Sequence, residues 1–133
     1  MGDAHEGQAA MDRQGDQPLR VLVVDDKVDA ANMIVAALTE SGFAAWAAYD
    51  GATAIELAGR LELDVMLVDL AMPGMNGWEV ARRCRKLDLV RPLRLVAISG
   101  LDQDVHRKQS QLAGFDAHLV KPVALHSLLE LLG

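Results

Sequence analysis

The sequence predicts an α/β fold: a five-stranded parallel sheet with helices on both faces. Two observations lead there. Five short apolar runs recur along the chain, and each is followed by a stretch whose apolar residues repeat at helical spacing. Strands joined by helical crossovers pair in parallel and are covered on both faces. Polar residues also stand directly after four of the runs. Asp25 and Asp26 follow Val21–Val24, Asp69 follows Val65–Val68, Ser99 follows Leu95–Ile98, and Lys121 follows His118–Val120.

In order, residues 1–18 are rich in Gly, Gln, Asp and Ala without periodicity and read as a disordered leader. The domain is expected over 19–133. Arg20–Asp25 is the first strand. Asp29–Thr39 carries Ala30, Met33, Ile34, Ala37 and Leu38 at helical spacing, and Gly42 stops it. Phe43–Tyr49 is a weaker strand, placed by Gly42 and the Asp50-Gly51 turn because its alanines suit a helix equally. Ala52–Leu61 is the second helix. Asp64–Asp69 is apolar on both sides, hence central. Gly77–Leu87, Asp102–Ala113 and Ala124–Leu132 are the remaining helices, with strands Arg94–Ser99 and Ala117–Val120 between them.

Ligands of open parallel sheets bind outside the carboxyl ends of the strands, where the strand order reverses. A dinucleotide-binding order needs a Gly-rich turn after the first strand. This chain has Asp25-Asp26-Lys27 there, which repels a pyrophosphate and invites a cation. The order 2-1-3-4-5, a flavodoxin-like (βα)5 three-layer sandwich, is therefore expected. It brings Asp25 and Asp26 beside Asp69. Three carboxylates, a hydroxyl and an ammonium together suit Mg²⁺-dependent phosphoryl transfer rather than a core.

Composition narrows the classes. At 133 residues, one domain is expected, and the 51% apolar content supplies a core without staples. No apolar run reaches the roughly 18–20 residues of a membrane span. Met1–Gln17 has no signal-peptide core. The single cysteine, Cys84, excludes an internal disulfide and fits a reducing compartment, so a cytoplasmic protein is expected. The formal charge of −6 argues against nucleic acid, although about half of it comes from Asp3, Glu6, Asp12 and Asp16 against Arg13.

The runs Val23-Val24-Asp25-Asp26, Val68-Asp69-Leu70-Ala71-Met72-Pro73-Gly74-Met75-Asn76-Gly77, Ile98-Ser99-Gly100 and Val120-Lys121-Pro122 together resemble the receiver domain of bacterial response regulators, the chemotaxis-regulator-like domains of two-component signalling. The resemblance covers roughly residues 19–133. It implies that Asp69 is the phosphoacceptor and that Asp25, Asp26, Asp69 and the backbone carbonyl of Ala71 hold Mg²⁺. Lys121 binds a phosphoryl oxygen, with a cis bond before Pro122, and Ser99 and His118 form the switch. A histidine kinase or histidine phosphotransfer protein is the implied donor, and the domain assists its own phosphorylation and dephosphorylation. With no effector domain after Gly133, the implied output is a protein contact, by a monomer or a phosphorylation-dependent dimer, unless the chain comes from a hybrid kinase.

The chemistry agrees with these roles. A carboxylate at a strand end is a competent nucleophile toward phosphorus. Mg²⁺ takes about six oxygens and retains waters, so two or three carboxylates suffice. Plainer readings stand beside them: Asp69 capping its loop, Asp26 capping the first helix, Ser99 capping the fourth, His118 as a structural histidine and Lys121 as a surface lysine.

Departures from the family pattern are Ala71 and Leu101, which carry no polar side chain at positions that elsewhere position water, and His118, where Tyr or Phe is common. Arg82, Arg83, Arg85 and Lys86 read as the solvated face of a helix that buries Val80, Ala81, Cys84 and Leu87. Trp46 is expected to point out of an edge strand, as a partner contact or leaning on a helix. Histidines 5, 106, 118 and 126 have no zinc spacing. Two other classes remain: a Mg²⁺-dependent aspartyl-phosphate phosphohydrolase, which usually has a second acid where Ala71 stands, and a flavin-binding module, which needs a phosphate loop where Asp25 and Asp26 stand.

Overall fold

The computed structural model describes residues 17–100 and 104–133, the side chains of 104–106 excepted. The leader expected over 1–18 falls, apart from Gln17 and Pro18, outside the described residues. So do Leu101 and the expected start of the fourth helix at Asp102.

Strands and helices alternate: β1 Arg20–Val24, α1 Val28–Glu40, β2 Ala44–Ala48, α2 Gly51–Arg60, β3 Val65–Asp69, α3 Gly77–Cys84, β4 Arg94–Ser99, α4 Asp104–Ala113, β5 Ala117–Val120 and α5 Leu125–Leu132. All pairings are parallel and the order is β2-β1-β3-β4-β5. This is the expected flavodoxin-like sandwich.

Period-two alternation along the strands separates two cores. Leu22, Val24, Met66, Val68, Leu95 and Ala97 face α2 and α3, meeting Ala54, Ala58, Val80, Ala81 and Cys84. Val21, Val23, Val65, Leu67, Val96 and Ile98 face α1 and α5, meeting Ala31, Leu38, Leu128 and Leu132. All five residues of β3 are buried, as its unbroken apolar run predicts for a central strand, whereas the edge strands β2 and β5 are mostly half-buried. The same alternation fixes the register, because a slip of one residue would exchange the two faces.

Two local readings need correction, and of the two alternatives for Trp46 the helix-leaning one is found. In α1 the buried stripe is Ala31 and Leu38 with Ile34 and Val35, while Met33 is 73% exposed. The expected stripe ran one row off because Met33 is apolar yet outward-facing. The third helix stops at Cys84 rather than Leu87: Lys86 and Leu87 donate to the carbonyls of Arg83 and Cys84, so the last turn tightens to i→i+3 bonding. Trp46 is half-buried and leans on the α2–α3 side, with the Arg20 guanidinium 4.7 Å from its ring centre.

Candidate functional site

Three strands deliver the site. Asp25 follows β1 and is buried. Its Oδ1 accepts the Lys27 N–H at 2.9 Å, and its own N–H donates to the Ala48 carbonyl at 3.1 Å. Asp69 closes β3 at 2% exposure, and its Oδ1 accepts the Ala71 N–H at 3.1 Å. Lys121 follows β5. Its N–H donates to the Ser99 carbonyl at 2.8 Å, its peptide bond to Pro122 is cis, and its Nζ lies 3.3 Å from Asp69 Oδ2.

The carboxylates of Asp25, Asp26 and Asp69 each offer an oxygen within 4.8 Å of the others. Burial, reinforced by the Asp69 carboxylate, raises the Asp25 carboxyl above its usual range, against the opposing Lys27 N–H and the Lys121 charge. Two unit charges about 4 Å apart repel by roughly 4 kcal/mol at an effective dielectric near 20. The cluster is therefore short of positive charge even with Lys121 present.

A divalent cation fits this donor set. Asp26 Oδ1 is a buried oxygen without a hydrogen-bond partner, and Asp69 Oδ2 has only the Lys121 ion pair; a buried carboxylate oxygen left unbonded is costly. Hard oxygen ligands with room for water suit Mg²⁺. The capping alternative for Asp26 does not hold: the N-cap of α1 is Lys27, with no side-chain cap.

The loop after β3 is held from below. Asn76 caps α3 by accepting the Glu79 N–H at 3.0 Å. Gly77 donates to the Leu70 carbonyl at 3.2 Å. A Cβ on Gly77 would lie 2.7 Å from the Asp69 carbonyl oxygen, so only glycine lets α3 start this close to the acid. Ala71 lies exposed on this loop.

Ser99 is buried at the end of β4, and the capping alternative for it falls on residues 101–103, outside the described residues. His118 pairs with Ala97 in register, away from the acid cluster, and lines a groove of about 210 Å³ with Arg107, Ser110 and Phe115. The structure thus gathers Asp25, Asp26, Asp69 and Lys121 at one point, sets Ser99 at the neighbouring strand end and leaves His118 at a distance along β5.

Sequence reasoning missed two features. One is a groove of about 520 Å³ beside the acids, walled by Ala30, Met33, Ile34, Ile98 and Val123 with Lys27 and Lys121 at its polar end; the outward-facing Met33 was the available signal. The other is Arg85, which is not simply solvated. It donates to the carbonyls of Gly114 (2.9 and 2.6 Å) and Leu93 (2.6 Å) and to Asp116 Oδ2 (2.7 Å).

This architecture with acids at the carboxyl edge is that of the chemotaxis regulators. The chain superposes on Vibrio cholerae chemotaxis protein CheY4 with a TM-score of 0.82 at 26% identity, covering 86% of this chain and 95% of that one. The receiver domain of the sensor histidine kinase PA1611 from Pseudomonas aeruginosa, solved with magnesium in its active-site cleft, superposes at 0.78 with 25% identity, covering 86% and 93%. Residues 21–133 match the response regulator receiver domain, and the chain belongs to that family.

Among curated proteins it is 32% identical over 111 residues to the probable transcriptional regulatory protein SilR of Salmonella typhimurium, covering 84% of this chain and 48% of SilR. It is 36% identical over 104 residues to the response regulator PleD of Caulobacter vibrioides, covering 78% and 23%. The chain spans about half or less of the length of these relatives. It is a receiver domain of two-component signalling, and nothing supports a flavin-binding module. Among the described residues, no helix is long and apolar enough to cross a membrane.

Proposed function

We propose that Asp69 accepts a phosphoryl group from the phosphohistidine of a kinase or histidine phosphotransfer protein. The observation that carries this reading is the buried Asp69 carboxylate, paired with Lys121 and set beside Asp25 and Asp26, the Oδ1 of Asp26 having no hydrogen-bond partner. An Asp69 oxygen attacks phosphorus and forms a P–O bond as the donor's P–N bond breaks, and the imidazole leaves with the electron pair.

Asp25, Asp26, Asp69 and the Ala71 carbonyl would hold Mg²⁺, which supplies positive charge to the transferring phosphoryl oxygens when bound. Lys121 follows a phosphoryl oxygen as a compact charge once Asp69 carries the acyl phosphate. Ser99 donates its hydroxyl proton to a phosphoryl oxygen, a contact that exists only after transfer. That differential contact shifts the equilibrium between two conformers, with His118 as the second element of the switch. The apolar groove beside Lys121 gives a donor helix a wall to pack on while its phosphohistidine reaches Asp69.

The output is a contact with a downstream protein, and the setting is the cytoplasm. Burial pushes the Cys84 thiol up to about 11, which keeps it inert there. Ala71 has no side-chain group to activate water, which disfavours a phosphohydrolase.

The test is transfer of labelled phosphate from a phosphorylated histidine donor. Label that needs Mg²⁺, reaches this chain and is released by hydroxylamine, as an acyl phosphate is, supports the proposal. Label that persists in Asp69→Asn contradicts it.

A further inference from the structure

Away from the acids, α3 and α4 enclose a groove of about 240 Å³ lined by Trp78, Arg82, Gln109 and Leu112. Leu112 is 84% exposed in the last turn of α4. A lone exposed leucine is ordinary, but this one faces a fixed aromatic wall. Trp78 is half-buried, and its Nε1–H donates to Oγ of the buried Ser110 at 3.2 Å. The indole therefore enters a contact with little side-chain freedom left to lose.

The rim is cationic. Arg82 and Arg83 share the single carboxylate of Glu79 at 3.3 and 2.9 Å, so two guanidiniums face one acid. Lys108 stands one helical turn before Leu112 on the same face of α4, and Lys86 lies about one turn beyond Arg82. Both lysines are exposed. This positive rim belongs to a chain of formal charge −6, so it is a local reversal of sign. Among the described residues, no acid lines the groove.

An apolar slot with a few flanking cations is not a phosphate-tracking stripe, which needs many cations along a backbone path. It matches an apolar anchor surrounded by carboxylates. We propose that the α3–α4 groove receives an acidic amphipathic helix of a partner protein, with one large apolar side chain seated between Trp78 and Leu112 and carboxylates facing Arg82 and Lys108. Aromatic and Arg residues at a packed slot are the usual anchors of such contacts, and the rim charges govern rate and specificity. Asp69 takes no part in this contact.

The probes are two synthetic helical peptides of about four turns, both with a leucine stripe, one carrying Glu and the other Lys at the remaining positions. Binding is read from Trp78 emission in a Trp46→Phe background. The Glu peptide is expected to shift the emission saturably. Its affinity should fall about tenfold or more in Leu112→Glu, and it should weaken with salt. The Lys peptide should not bind. Leu112 is exposed, so the Leu112→Glu protein should keep the parent's unfolding midpoint. Equal binding of the Glu peptide to the parent and to a folded Leu112→Glu protein overturns the proposal, as does the absence of any binding. Self-association in sedimentation that Leu112→Glu removes would assign the groove to a second copy and also overturn it.

Discussion

Lys121 Nζ lies 3.3 Å from Asp69 Oδ2, joining the residue after β5 to the last residue of β3. The lysine side chain is 32% exposed and that of the aspartate 3%, so the ammonium is the wet partner and can follow a new oxygen. Lys121→Met should keep the fold and slow phosphorylation of Asp69 about tenfold or more, or about 1.4 kcal/mol of barrier. Lys121→Arg should not restore the rate, because a planar fork replaces a point charge. Single-turnover labelling measures both, and an unchanged rate in Lys121→Met would remove the lysine from the mechanism.

The raised Asp25 carboxyl gives a pH dependence with a definite sign. A carboxyl with a folded-state pKa above its unfolded value adds stability below the ordinary 3.8, and that contribution disappears as pH rises through the folded value. At neutral pH the ionised Asp25 therefore opposes folding when no cation is present. Asp25→Asn should raise the melting temperature at pH 7 in chelator, and the gain should vanish near pH 3. In the parent protein, Mg²⁺ at a hundredfold its Kd should add about 2.7 kcal/mol of stability. Melting curves with and without Mg²⁺ check this; a lower midpoint for Asp25→Asn in chelator would contradict it.

Two glycines should respond in opposite directions. A methyl on Gly77 meets the Asp69 carbonyl oxygen at 2.7 Å and Leu70 Cα at 2.8 Å, both backbone, whereas one on Gly59 meets nothing within 4 Å. Gly77→Ala should cost about 1–3 kcal/mol by overpacking and weaken Mg²⁺ binding by shifting Asp69. Gly59→Ala should gain about 0.5–1 kcal/mol from lower chain entropy in α2. Urea unfolding of both variants is the measurement.

Arg85 ties the end of α3 to the Gly114 and Leu93 carbonyls and to Asp116, whose Oδ2 also accepts the Leu95 N–H at 2.8 Å. Arg85→Ala should destabilise by about 1 kcal/mol, because the part-buried Leu93 carbonyl loses its donor while the exposed Gly114 and Asp116 acceptors turn to water. Arg85→Lys should recover less than half, since an ammonium cannot span three acceptors in a plane. Urea midpoints within error of the parent would show that water replaces the clamp.

Strand order and the acid cluster were legible because both follow from short-range pattern. Apolar runs set the strands, and the acids at Asp25-Asp26 in place of glycines chose the switch-point topology. Arg85 was hidden because its partners Leu93, Gly114 and Asp116 are distant in sequence, and a helix-face pattern records only which side a residue is on. Met33 misled for the related reason that hydropathy does not distinguish a core residue from the wall of an open groove. Trp46 turned inward because Ala45 and Ala47 fill one face of β2, leaving the aromatic ring to cover the α2–α3 side.

Phosphorylation at Asp69 is read by intact mass after incubation with Mg²⁺ and a small-molecule phosphodonor, run beside Asp69→Asn. One phosphoryl adduct that depends on Mg²⁺ and is absent from the variant is expected. An adduct of equal yield on Asp69→Asn, or one formed equally well in chelator, would contradict it.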